Sequence, residues 1–321
     1  APISMPFVST TYWASSASGA YRSTARKVSW AVLCRPLRCT SMNSASAASP
    51  SVRSRVEELA IADRVTGEVE EAVVDADLII ICTPVGVIGD VVRAIAPALS
   101  KGSVVSDVGS VKSTIIEAVA PYIGESRRFV PAHPVAGTEH SGPDAGFAEL
   151  FENRWCILTP PADTDQDAID LVSALWRHLG SNVEVMTANH HDLVLAITSH
   201  VPHLIAYNIV GTAAHLEEVT RSEVIKFSAG GFRDFTRIAA SDPIMWRDIF
   251  LHNKAAVLEM LARFDKDLAT ARRMVEAGDG QGLFDLFTRT RAIRRSIISS
   301  GQETSAPDFG RRLTDARIER D

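Results

Sequence analysis

Residues 77–82 read Asp-Leu-Ile-Ile-Ile-Cys, and after Asp77 this largely β-branched run has no charged or strongly polar position to turn toward water. A strand of this kind must be covered on both faces, as in a parallel sheet flanked by helices. The neighbouring segments alternate accordingly. Helical spacing over 51–59, 87–99, 112–123 and 165–179 is interleaved with strand-like runs at 102–107, 128–130, 156–159 and 183–186. This specifies an α/β doubly wound sheet. From Ala188 onward no strand pattern is left, and 188–214, 217–227, 243–268 and 282–298 carry apolar residues three and four apart. The second half therefore reads as all-helical. The helix at 243 has Ser241 or Asp242 as its cap and a proline in its first turn. Segments 1–48, 49–187, 188–300 and a polar tail at 301–321 follow as the divisions of the chain.

Charge narrows the partners. The 321 residues hold 33 Lys+Arg against 39 Asp+Glu, a net of -6. An acidic balance disfavours nucleic acid and anionic membranes, and no uninterrupted apolar run approaches a membrane span. Cys34, Cys39, Cys82 and Cys156 fit neither a metal-ligand nor a disulfide-framework spacing, which points to a reducing, cytoplasmic compartment. The charge is unevenly spread, however. Residues 1–56 contain seven basic residues, thirteen serines and no acid, whereas the remaining 265 carry a net of -13.

Ligands of an open α/β sheet bind beyond the carboxyl ends of its strands. Three segments fall there: Thr83-Pro-Val-Gly86, Asp107-Val-Gly-Ser110 and His133-Pro-Val-Ala-Gly-Thr-Glu139. Pro134 biases His133 toward extended backbone and Gly137 permits a turn, so the imidazole can project as a general base or simply hydrogen-bond a loop. Ser110 opens the next helix as an N-cap, a role compatible with ligand contact. Arg233 and Arg237 share a face if their segment is helical, and suit a carboxylate; surface ion pairs with Asp234 or Asp242 are the plainer alternative. His191, His200 and His203 lie on one helix but lack the accompanying ligands of a zinc site, so no metal is expected. Trp246, Phe250 and Phe264 follow helical spacing as core.

Taken in order, the 77–85, 107–112 and 133–139 motifs, Ser199-His-Val-Pro-His203 and the 231–246 segment resemble the prephenate and arogenate dehydrogenase family over about 49–298. The resemblance implies a Rossmann-type nicotinamide-binding domain followed by an all-helical dimerisation domain, and hence a homodimer. It implies NAD or NADP as cofactor, and oxidative decarboxylation of prephenate or arogenate to 4-hydroxyphenylpyruvate or tyrosine. By the same resemblance His133 accepts a hydrogen bond from the ring hydroxyl, Ser110 orients that hydroxyl or His133, and Arg237, His203, Arg233 and Thr138 bind substrate. Thr83, Pro84, Val85 and Asp107 fall to the cofactor. A β-hydroxyacid dehydrogenase shares the two-domain plan but lacks the His133-Pro-Val-Ala-Gly segment, while the usual lysine context of that family is not visible here.

One departure stands out. Gly19 is the only glycine before Gly67, so the Gly-x-Gly-x-x-Gly turn expected after the first strand is missing, as is the acidic residue after the second. Residues 1–48 are about long enough to have encoded those elements. Their acid-free composition, and codons that permit Leu-Ile-Gly-Ile-Gly from residues 14–19 one base out of register, suggest a stretch read out of frame until about Ala48; resequencing the gene tests this. A catalytically silent dimer is the alternative for the chain as written.

Overall fold

The computed structural model describes residues 7–12, 28–33, 52–60, 62, 64–66, 68–123, 128–137, 143–220 and 229–299. Strand β4, Leu78–Ile81, is buried at all four positions. Its alternate side chains feed two cores, as the two-residue period of a strand requires. Ile79 and Ile81 pack with Ile88, Val91, Val92 and Ile95 of helix α3 (Ile88–Ile95) and with Ile115 and Val119 of α4 (Ser113–Ile123). Leu78 and Ile80 pack with Ala168, Val172, Leu175 and Trp176 of α5 (Gln166–His178). Each such aliphatic side chain contributes roughly 1.5–3 kcal/mol on burial, so this strand anchors both layers.

The other strands are β1 (Phe7–Tyr12), β2 (Val28–Leu33), β3 (Arg64–Thr66), β5 (Val104–Asp107), β6 (Phe129–Pro134), β7 (Trp155–Leu158) and β8 (Asn182–Val185), in spatial order β3-β1-β2-β4-β5-β6-β7-β8. Pairing is parallel from β2 through β4 and β5 to β6 and again between β7 and β8. It is antiparallel where β1 meets β2 and β3, and where β6 meets β7. The sheet is thus mixed rather than wholly parallel. Between β6 and β7 no crossover helix intervenes among the described residues, so the chain can reverse its direction. Strands β1 and β2 fall within 1–48, where sequence patterning offers none, and β2 lies beside β4. Two short helices, α1 (Val52–Glu58) and α2 (Val69–Val73), flank β3 in sequence.

The helical half departs from its sequence pattern at defined residues. The 188–214 run divides into α6 (Ala188–Leu195), a π turn (Ala196–His200) and α7 (Val201–Thr220). Pro202 has no N–H to give and its ring crowds the preceding turn, which the wider π turn relieves. Residues 188–215 are long and apolar enough to cross a membrane by length and composition, but the run is interrupted by polar residues and carries the buried polar side chains of His191, Asp192 and His200. Of the expected 217–227 helix, 217–220 continue α7 and the rest lie outside the described residues, as does the 301–321 tail.

Helix α8 (Gly230–Thr236) leads through a 3-10 turn (Arg237–Ala240) to α9 (Pro243–His252), whose N-cap is Asp242: its Oδ1 accepts the Met245 N–H at 2.7 Å. The single helix expected over 243–268 is interrupted at Asn253, and α10 (Lys254–Glu276) and α11 (Gly280–Ser299) follow. Two compact units emerge, Ala1–Val257 and Leu258–Asp321. Residues 188–257 belong with the sheet because their polar and aromatic side chains bond and pack there, Trp246 and Ile249 joining the α3–α4 core.

Candidate active site

The parallel ladder aligns Ile81 with Asp107 and Asp107 with Pro131. Thr83, Gly109 and His133 each lie two residues further along, so the three segments singled out in the sequence open at one sheet edge. The end of β5 is tied to β6 by a buried ion pair. Lys112 Nζ contacts Asp107 Oδ2 at 2.5 Å and donates to the Ala132 carbonyl at 2.7 Å, both charged side chains being fully buried. Asp107 Oδ2 also accepts the Gly109 N–H at 2.8 Å. A Cβ at Gly109 would stand 2.6 Å from Ile115 Cδ1 and 3.0 Å from Asp107 Oδ2, so a side chain there would force Ile115 to move and crowd the buried carboxylate. Burial pushes the Asp107 carboxyl up and the Lys112 ammonium down against their mutual attraction. Asp107 therefore acts as an internal tie, and Ala132, which the lysine grips, is the residue before His133.

His133 is the penultimate residue of β6, in the extended backbone that Pro134 favours, and Gly137, at φ 135°, turns the chain away. Its Nδ1 lies 2.8 Å from Nε2 of His191, whose Nδ1 lies 2.9 Å from Asp192 Oδ1. Burial, reinforced by the neighbouring His191, Lys112 and His200, holds His133 well below the ordinary histidine range. It is accordingly neutral near neutral pH, the state a hydrogen-bond acceptor needs.

Asp192 also settles how α4 starts. Its Oδ1 accepts the Lys112 N–H at 2.8 Å and its Oδ2 the Ser113 N–H at 2.9 Å. The cap assigned to Ser110 from sequence is thus supplied from α6, because the helix begins three residues later than Ser110. Ser110 stays half-buried in the turn between β5 and α4.

On the helical side, His203 stacks on Trp246 with ring centroids 3.6 Å apart, and its Nδ1 lies 2.8 Å from the Ser199 carbonyl. That carbonyl can only accept, so Nδ1 donates and Nε2 is left for a ligand. Burial lowers His203, the Ser199 bond opposes this, and the positive charge of Arg237 lowers it further. Arg237 and His203 are therefore electrostatic neighbours. Arg233, one helical turn before Arg237, is 81% exposed and pairs loosely with Asp234 at 3.9 Å, the plainer of the two expectations. Thr138 lies outside the described residues.

The β4 end carries the feature that fits a cofactor. Thr83 Oγ1 is buried without a hydrogen-bond partner, and Val85 is buried beside a half-buried Pro84. An orphaned hydroxyl at a strand end in this position suits the polar edge of a nucleotide. No glycine follows β2 before Gly67, so a glycine-rich phosphate turn does not accompany it.

Four residues here escaped the sequence-based search or were given other roles: Lys112, His191, Asp192 and Asn253. Asn253 Nδ2 donates to the Asp192 carbonyl at 2.8 Å and lies 3.0 Å from His200 Nδ1, which explains the helix break there. Among the described residues no group of three or more His, Cys, Asp or Glu is placed to hold a metal ion. The signal for Asp192 was its charge inside a mostly apolar run.

Comparison with known proteins matches residues 25–185 to the family described as prephenate dehydrogenase, nucleotide-binding domain. Residues 187–289 match the prephenate dehydrogenase dimerization domain. The chain is 43% identical over 249 residues to the cyclohexadienyl dehydrogenase of Zymomonas mobilis, covering 78% of this chain and 85% of that protein. With the prephenate dehydrogenase of Bacillus subtilis it shares 34% identity over 236 residues, 73% of this chain and 63% of the relative. Among solved structures, the prephenate dehydrogenase of A. aeolicus, crystallised with hydroxyphenyl propionate and NAD+, aligns with a TM-score of 0.72 at 34% identity, covering 76% of this chain and 85% of that one.

Proposed function

The chain belongs to the prephenate dehydrogenase family, and on that footing we propose that it oxidatively decarboxylates prephenate or arogenate, using NAD or NADP, in the cytoplasmic synthesis of tyrosine. The observation that carries this is the neutral His133 at a strand end, at the same sheet edge as the orphaned Thr83 hydroxyl. When bound, the nicotinamide supplies the hydride acceptor. Thr83, Pro84 and Val85 would hold it. His133 accepts a hydrogen bond from the ring hydroxyl, which raises electron density on the carbinol carbon and favours hydride loss. Ser110 orients the hydroxyl or the imidazole. The ring carboxylate leaves as carbon dioxide, its electron pair completing the aromatic ring. Arg237 and His203 bind substrate carboxylate, with Arg233 and Thr138 as further substrate contacts. The test is an assay of the purified chain with both substrates and both cofactors; absence of turnover in all four combinations, with NAD binding detectable by calorimetry, would reject the assignment.

Arg237→Ala should raise KM by about 10- to 100-fold, since a charge-assisted hydrogen bond contributes roughly 1.5–3 kcal/mol. kcat should change much less. Steady-state kinetics separate the two, and a fall confined to kcat would remove Arg237 from carboxylate binding.

We also assign a homodimer. The unit 258–321 exposes Leu258, Leu268, Val275, Phe284, Phe287 and Ile293, more apolar surface than a helix pair leaves in water. Replacing Phe284 and Phe287 together by glutamate should convert a dimer into a monomer in sedimentation velocity; an unchanged sedimentation coefficient would exclude this face.

A further inference from the structure

We propose that His191, backed by Asp192, is a positioning residue that fixes the tautomer of His133, so that His133 Nε2 presents its lone pair to the substrate hydroxyl. The inference rests on the catalytic reading of His133 and follows from counting donors. Asp192 accepts from two backbone N–H groups, those of Lys112 and Ser113, at 2.8 and 2.9 Å. Against the effect of burial, the bonds from His191, Ser113 and Lys112 hold its carboxyl below the ordinary range, so it is ionised and can only accept. His191 Nδ1, 2.9 Å away, must then carry a proton. A neutral imidazole has one N–H, so His191 Nε2 is an acceptor. His133 Nδ1, 2.8 Å from it, must be the donor. That leaves Nε2 of His133 unprotonated.

Burial and the nearby cations favour neutral rings: Lys112 acts on both imidazoles and His200 on His133, while the carboxylates of Asp192 and Asp107 oppose this at His191 without reversing it. Cys156 of β7 stands beside them as a neutral thiol, pushed up to about 12 by burial. His191 itself is fully buried. With Asp192 anchored to the start of α4, the imidazole pair is fixed to the sheet edge and not to a mobile loop. At metal-bound histidines a partner that sets ring orientation and tautomer matters by about 10- to 100-fold, and a loss of the same order is expected for this hydrogen-bonded pair.

The experiment compares His191→Leu, His191→Gln and His133→Asn with the unsubstituted chain. Long-range nitrogen–proton NMR correlations report the tautomer without any need for cofactor. They should show His133 protonated at Nδ1 in the unsubstituted protein, and a mixture in His191→Leu. kcat should fall about 10- to 100-fold in His191→Leu with KM little changed. His191→Gln should recover much of it, because the amide oxygen can accept from His133 while its NH2 donates to Asp192. Far-UV circular dichroism of each variant checks that the fold is retained. An Nε2-protonated His133 in the unsubstituted protein would overturn the inference. So would unchanged turnover in His191→Leu beside an inactive His133→Asn, an outcome that leaves the role of His133 intact. Full turnover in His133→Asn removes that role and the inference with it.

Discussion

His133→Asn should lower kcat by about 10²–10⁴-fold while KM for substrate stays close to its original value. The asparagine amide can stand where the Nδ1 side of the ring stood, so the bond toward His191 has a replacement. It has no basic atom at the Nε2 position. The hydroxyl of the bound substrate thus loses its acceptor when the carbinol carbon gives up hydride, whereas carboxylate contacts from the helical side are untouched. Binding energy and chemistry are separated by construction, because His133 sits on β6 and Arg237 on the turn after α8. Steady-state kinetics at saturating cofactor decide the matter, and turnover equal to that of the unsubstituted chain would take His133 out of the reaction.

How much of this was legible before the structure depended on the range of the interaction involved. The β4 run declared itself because every position is buried, leaving no polar residue to disguise the strand. His133 was found because Pro134 and Gly137 act locally on the backbone, and Asp242 because a cap and a proline are neighbours in sequence. The contacts that organise the site are of another kind. Asp192 caps a helix that starts 79 residues earlier, and His191 meets a histidine 58 residues away. No periodicity encodes such pairs. Ser110 looked like the cap because it is polar and precedes the helix, yet a carboxylate brought in by α6 satisfies two N–H groups at once. In the same way the apolar spacing over 243–268 hid the break at Asn253, whose side chain is committed to Asp192 and His200.

The buried pair beneath the site should be the most stability-sensitive point in the described structure. Lys112→Met keeps much of the side chain's length and apolar stem but leaves Asp107 in a fully buried position without its counter-charge. Breaking such a pair from one side costs about 3–5 kcal/mol. It also frees the Ala132 carbonyl, which accepts from Nζ at 2.7 Å. The cost should depend on pH with a definite sign. Asp107 already sits above the ordinary carboxylate range through burial, and removal of the ammonium raises it further. A group whose folded pKa exceeds its unfolded value favours the fold below the unfolded value and loses that contribution as pH rises through the folded one. The Lys112→Met defect should therefore be smallest in mild acid, where the carboxyl is protonated, and grow toward neutrality. Adding Asp107→Asn removes the stranded charge and should recover part of the loss and most of the pH dependence. Urea titrations of the single and double variants across that range measure both quantities. A single variant as stable as the original at neutral pH would show that the pair contributes nothing to holding the strand end beside His133.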